Sequence, residues 1–274
     1  MKSQNLVKLL GVLAAGLSAI AMCAPLAQAA TPAKGYEGFA GCPSPVENPA
    51  VTACLRSVVR SGHFQMGSKN VPITNPIVLS GGTDENLKGF SFNSKGGLTP
   101  VKQTVPGGVI GLTGLDWLVN FLNIEQLKLY AVTELAGTPD FSGEALSLPI
   151  KVHLINPVLG NGCYVGSSSN PIKLNLTPGT TSPPPPNSPI SGAPPKKVET
   201  DPTLSIFRTF ETTLVDNAFA APGASGCVLT LLGFIPINLN GLVNIESSLP
   251  SPAGTNETVQ VADLELAPRE AVYP

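Results

Sequence analysis

The chain has 274 residues with a formal net charge of −2; 42% of them are hydrophobic, 12% are charged, and Gly and Pro contribute 28 each. No basic stripe is present, which excludes a surface that binds nucleic acid through phosphate charge. The apolar content is too high for a disordered chain, and abundant Gly and Pro among many Val, Ile, Leu and Thr fits short strands joined by turns.

Residues 1–29 carry Lys2 and Lys8 as their only charges, an apolar run from Leu9 to Met22, then Pro25 and Ala27-Gln28-Ala29. A basic start, an apolar stretch too short to span a bilayer comfortably, and an A-x-A site make a cleavable export signal, with cleavage expected after Ala29. Met22 before Cys23 argues against a lipoprotein site. Cleavage removes two lysines and no acid, leaving 14 basic against 18 acidic side chains. The later apolar stretches, Val105 to Leu122 and Cys227 to Ile237, are interrupted or too short, so no transmembrane anchor is expected.

Residues 30–54 read as an irregular lead-in and residues 55–267 as one β-rich domain, with a tail at 268–274. The exported chain keeps Cys42, Cys54, Cys163 and Cys227, an even number in a compartment where disulfides persist. Three connectivities exist. The sequence favours Cys42 with Cys54, which closes a short loop, and Cys163 with Cys227, which share the contexts Gly162-Cys163 and Gly226-Cys227. Zinc ligation is disfavoured, because neither His63 nor His153 stands at ligand spacing from a cysteine.

Val58 to Met66, Lys128 to Leu135, Ile150 to Leu154 and Thr255 to Ala267 read as strands, the third placing Lys151 and His153 on the wetter face and the last alternating at Val259, Val261, Leu264 and Leu266. A Pro-Ile phrase recurs at Pro72, Pro76, Pro149, Pro171 and Pro236. Proline lacks a ladder amide, so each copy is expected to open a strand. Thr113 to Asp116 resembles a capping box leading into an apolar helix through Trp117 and Phe121, which fills a core or faces an apolar ligand. Leu204 to Val215 reads as a strand alternating at Leu204, Ile206, Phe210 and Leu214, despite the helix-like start Asp201-Pro202. The Pro-rich run at 178–195 has the composition of a linker, but a Cys163–Cys227 bridge would close it into a loop of one domain.

Searches for chemistry return weak matches. Gly223-Ala224-Ser225-Gly226 misplaces a glycine for a serine-hydrolase elbow. His63 and His153 sit in strand-like runs and read as exposed or hydrogen-bonded strand residues. Asp84, Glu85, Glu134, Asp140 and Glu144 are carboxylates by type alone. The segment from Asp84 opens like a calcium loop but puts Lys88 and Lys95 where ligands belong, leaving at most a weak turn-type site. Asn175-Leu176-Thr177 and Asn256-Glu257-Thr258 match glycosylation sequons, the first disfavoured by Pro178.

Gly41-Cys42-Pro43-Ser44-Pro45, Asn161-Gly162-Cys163-Tyr164-Val165-Gly166-Ser167, the phrase Leu176 to Asn187 with its four consecutive prolines, and Asp216 to Cys227 resemble a group of secreted actinobacterial proteins of no known activity. The resemblance spans most of the exported chain. It implies export and the same four cysteines, and it brings no activity, cofactor or catalytic residue.

The expected fold is all-β, an antiparallel sandwich or barrel-like domain with long loops and one or two short helices. The expected function is non-enzymatic: a secreted or envelope-associated binding or structural protein without a cofactor. A carrier of an apolar small molecule or lipid, and a hydrolase using carboxylates gathered by the fold, are the alternatives.

Overall fold

The computed structural model describes residues 30–108, 128–142 and 145–274. The expected export signal and the expected helix bearing Trp117 and Phe121 lie outside the described residues. Thr31–Pro274 forms one compact unit. Every described strand pairing is antiparallel.

Strands are numbered in chain order. The first sheet runs β11 (Lys197–Asp201), β12 (Ile206–Asp216), β16 (Glu257–Pro268), β1 (Ala53–Met66), β3 (Ile77–Thr83) and β4 (Gly97–Leu98), with β2 (Lys69–Pro72) also pairing β1. The second runs β13 (Ala224–Ser225), β9 (Tyr164–Val165), β8 (Ala145–Ile155), β6 (Leu129–Leu135) and β5 (Lys102–Val105), with β10 (Ile172–Leu176) and β7 (Asp140–Ser142) also on β8. Strands β14 (Val228–Leu231) and β15 (Ile235–Asn238) make a separate hairpin; helices α1 (Asn240–Ser247) and α2 (Arg269–Val272) follow. One cluster holds Leu55 and Leu79 of the first sheet with Leu148, Ile150 and Leu174 of the second, so the architecture is an open sandwich rather than a closed barrel.

Two bulges decide which side chains reach that interior. In β1 the register with β16 shifts between Val59 and Ser61, so Arg60 is the extra residue. The shift reverses the parity of the strand: Leu55, Ser57 and Val59 face inward before it, Phe64 and Met66 after it. Strand β12 shifts between Thr209 and Thr212, with Glu211 at φ 53°. Both bulges meet Asp263 of β16, which takes the Arg60 guanidinium on one oxygen and the Glu211 amide on the other at 2.9 Å.

The β12 bulge overturns part of the expected pattern, because Ile206 packs in the cluster outside the sheet whereas Leu214 packs inward. On β16 the inward residues are Thr258, Gln260, Ala262, Leu264 and Leu266, set by their pairing with Phe64, Gly62, Val59, Ser57 and Leu55; Val259 and Val261 lie on the other face.

The Pro-Ile copies also divide. Pro76 and Pro171 immediately precede β3 and β10, but Pro72 ends β2, while Pro149 and Pro236 lie inside strands. Pro149 is tolerated because β6 pairs β8 only from Ile150 onward and β7 only up to Ser147, so its missing amide falls in the gap of that edge. Its carbonyl accepts the Ala136 amide at 3.0 Å.

Both disulfides join the expected partners, Cys42–Cys54 and Cys163–Cys227, spanning 12 and 64 positions. The shared Gly-Cys context has a steric reason: at φ 71°, a Cβ on Gly226 would stand 2.1 Å from the Gly162 carbonyl oxygen. The lead-in and the tail pack together on the outer face of the first sheet, with Tyr36, Phe39 and Val51 against Ile206, Ala267, Val272 and Tyr273.

The Pro-rich run is tied down. Asn187 Nδ2 donates to the Asn217 and Asn256 carbonyls at 3.0 and 2.9 Å, and Asn217 Nδ2 donates to Ser188 O at 2.8 Å.

Candidate functional site

The interior between the sheets is not uniformly filled. Inward residues of β1, β2 and β3 face those of β6, β8 and β10 across an apolar slot with two adjoining cavities of about 80 and 40 Å³, which share Phe64, Met66, Val71, Ala131 and Val152 as walls. The larger is bounded by Ile77, Leu79, Leu146, Leu148, Leu174 and Leu176; the smaller continues past Leu129 and Leu154 to Val243 and Ser247 of α1. Alternation in β8 aims Leu148, Ile150, Val152 and Leu154 into the sandwich, as the sequence pattern required.

Polar groups enter the lining at its margins. Gln103 is spent on structure: Oε1 accepts the Thr74 and Asn75 amides at 2.9 and 3.1 Å, and Nε2 donates to Asn75 O at 2.7 Å. Gln260 Nε2 donates to Thr258 Oγ1 at 3.2 Å, and Ser57 and Thr133 complete the polar lining of the larger cavity. Lys69 is the one charged residue in the described lining of either cavity. The remaining walls are aliphatic and aromatic, a surface that favours hydrocarbon over water.

On β12, beside this interior, Asp216 is 2% exposed and accepts the Asn175 and Ala218 amides at 2.6 and 2.9 Å. Burial raises its carboxyl above the usual carboxylate range, against the pull of those two amides.

The residues singled out for chemistry lie elsewhere. His63 is on the outer face of β1, 3.1 Å from Glu257 Oε1. His153 stacks on Tyr164 with ring centroids 4.3 Å apart, its Nδ1 lies 3.5 Å from Glu134, and Lys151 approaches the other Glu134 oxygen at 3.3 Å. This group sits on the outward face of β8 and its neighbours, as expected for Lys151 and His153. Asp84 Oδ1 accepts the Asn86 and Lys88 amides at 2.8 Å each, which makes it a turn-former. Glu85 is exposed, Asp140 opens β7, and Glu144 lies outside the described residues. Among the described residues no three His, Cys, Asp or Glu side chains are placed to share a metal ion. None of their helices is long and apolar enough to cross a membrane.

One sequon is unusable in the folded chain. Asn256 is 0% exposed, with its side chain bonded to the Gly67 amide, Ser251 Oγ and the Phe219 and Pro252 carbonyls.

Sequence reasoning missed α1 altogether. Asn240-Gly241 is a poor helix start, and Leu239 at the cap position makes no side-chain cap bond. Tertiary contacts supply what propensity lacks: Asn240 Oδ1 accepts the Cys227 amide and Asn244 Oδ1 the Ala224 amide, at 2.8 and 2.6 Å. No family model, characterised protein or solved structure matches this chain.

Proposed function

We propose that the chain is an exported, non-enzymatic binding protein whose interior slot takes a slender apolar ligand, an alkyl or acyl chain. The observation that carries this reading is the slot itself, a sandwich interior in which facing aliphatic walls stand apart. Dry cavities of this kind bind apolar molecules, and one of about 150 Å³ is enough for benzene. At about 80 and 40 Å³ the two together fall short of that, so they suit a short, slender alkyl segment rather than a ring system or a long chain. Lys69 in the described lining disfavours a cationic headgroup. Export is supported by the pattern of residues 1–29 and by two disulfides, which belong to oxidising compartments.

The test is binding of hexanoic acid and hexanol to the full chain, read by calorimetry and thermal shift, with Ala131→Leu as the variant that occupies the slot. Saturable binding that Ala131→Leu abolishes is expected, with stabilisation of about 2.7 kcal/mol at a hundredfold excess over Kd. No binding, or binding that Ala131→Leu leaves intact, overturns the reading. Comparing acid with alcohol shows whether a negative headgroup adds affinity.

A further inference from the structure

The β14–β15 hairpin, which joins neither large sheet, makes a protrusion with an unusual surface. Leu232 is 83% exposed and Phe234 72%, with Ile235 and Ile237 exposed on the same hairpin; Leu242 and Ile245 of α1, which follows it in the chain, are exposed as well. These six side chains belong to a stretch of 29 residues, Asn217 to Ile245, that holds no charged residue. Isolated apolar side chains are ordinary on a protein surface, but a cluster at a protruding tip marks a site of contact.

The hairpin is held firmly at its base. Cys227 is bridged to Cys163, the Val228 amide donates to Leu159 O at 3.0 Å, and the Leu239 amide donates to Cys227 O at 2.8 Å. Beyond that base it joins neither large sheet, and all four residues of β15 are exposed. A free two-stranded ribbon is marginal in water, so apolar exposure along it calls for an environment that covers it.

We propose that this protrusion inserts into the apolar boundary of a lipid surface. Three observations choose lipid over a protein partner or a second copy. All four residues of β15 are exposed, so both faces of the ribbon are open, and a fluid phase covers the two together whereas a flat protein face covers one. Pro236 lies within β15 and removes a donor from the ribbon, opposing extension by an added strand. The hairpin itself holds no charged residue, Glu246 of α1 being the first that follows it, so its tip offers no ion pair to orient a protein partner and its attachment is indifferent to headgroup charge.

Helix α1 links this surface to the interior: Val243 and Ser247 line the smaller cavity, while Leu242 and Ile245 lie outside. The attachment stands whether or not the slot holds a ligand.

The test places a probe at the tip. Phe234→Trp in a Trp117→Phe background makes the introduced indole the sole one in the full chain. With neutral phosphatidylcholine vesicles its emission shifts to the blue and is quenched by lipids brominated in the acyl region, and the effect persists at about 0.5 M salt, where exposed charge attraction is screened. Adding Leu232→Asp weakens partitioning about tenfold or more. Because the read-out is local to the tip, apolar residues 1–29 do not produce it. An unshifted indole with vesicles overturns the proposal. So does a blue shift without lipid that tracks dimer formation in sedimentation velocity, which would make the protrusion an interface between copies. Hexanoic acid binding is measured separately, so failure here leaves the slot reading untouched, and the converse holds.

Discussion

The first sheet carries an apolar cluster on each face, and the two are built to opposite rules. On the outer face, Phe39, Val51, Ile206, Ala267 and Val272 are each at most 2% exposed, the Cys42–Cys54 bridge lies among them, and both tyrosine hydroxyls are satisfied, Tyr273 on Cys42 O at 2.9 Å and Tyr36 on Leu204 O. On the inner face, Leu55, Ile150, Ile172 and Leu176 are as deeply buried, but Phe64, Met66, Val71, Ala131 and Leu146 remain only partly buried around the slot. The smaller cluster is closed and the larger one is left open. Close packing is the default for protein interiors. The open seam is therefore the feature that asks for a function, and the closed one reads as the clamp that joins the chain's described ends to the sheet.

The contrast is broken most severely by Phe39→Ala, which empties the closed cluster. An expected loss of about 3–5 kcal/mol, read as a lower urea midpoint at unchanged slope, follows from deleting a buried ring that the disulfide prevents the site from collapsing around. A loss below about 1 kcal/mol would show that the outer cluster is no better packed than the slot.

Asp263→Ala attacks the device that sets the inner face. It leaves the Glu211 amide without its acceptor and Arg60 without its partner, at a cost of about 1–3 kcal/mol. Because the Arg60 side chain is 57% exposed, the ion pair itself contributes little and the amide carries most of the effect. Arg60→Ala should accordingly cost much less, and equal losses in the two urea melts would refute this division.

Asp216 sharpens the comparison by pH. Its folded carboxyl titrates above its ordinary range, so between the two values the native state holds more proton than the unfolded chain. This group's contribution to stability therefore falls as pH rises from the ordinary carboxylate range through the raised folded value. Carbon-detected NMR of the Asp216 carboxyl should show a midpoint above that of exposed aspartates; a midpoint at or below theirs would contradict the assigned cause.

The sequence disclosed the fold class, the disulfide pairing and the inward set of β8, since these depend on local alternation and on cysteine context. It did not disclose which face of β1, β12 or β16 turns inward. That is decided by single extra residues at Arg60 and Glu211, and nothing at either position distinguishes a bulge from a continuing strand until the pairing is known. Helix α1 was hidden for a related reason: its end is secured by Asn240 and Asn244 reaching residues distant in the chain. The apolar character of Cys227 to Ile237 was plain, but alternation alone did not show that Leu232, Phe234, Ile235 and Ile237 stay outside.

The smallest effect on stability is the most discriminating. Ala131 lines both cavities and Ala267 is sealed beside Cys54, so adding the same three carbons to each asks the two clusters one question. At Ala267→Leu the closed cluster has no room, and overpacking should cost about 1–3 kcal/mol. At Ala131→Leu the added carbons enter existing space, gain contacts with the opposing aliphatic wall and bury apolar area, so the change should lie within about 0.5 kcal/mol of zero or stabilise the fold. Paired urea melts of ligand-free protein measure the difference directly. Equal destabilisation by both substitutions would mean that the slot closes in solution, and the structural basis for an apolar ligand there would go with it.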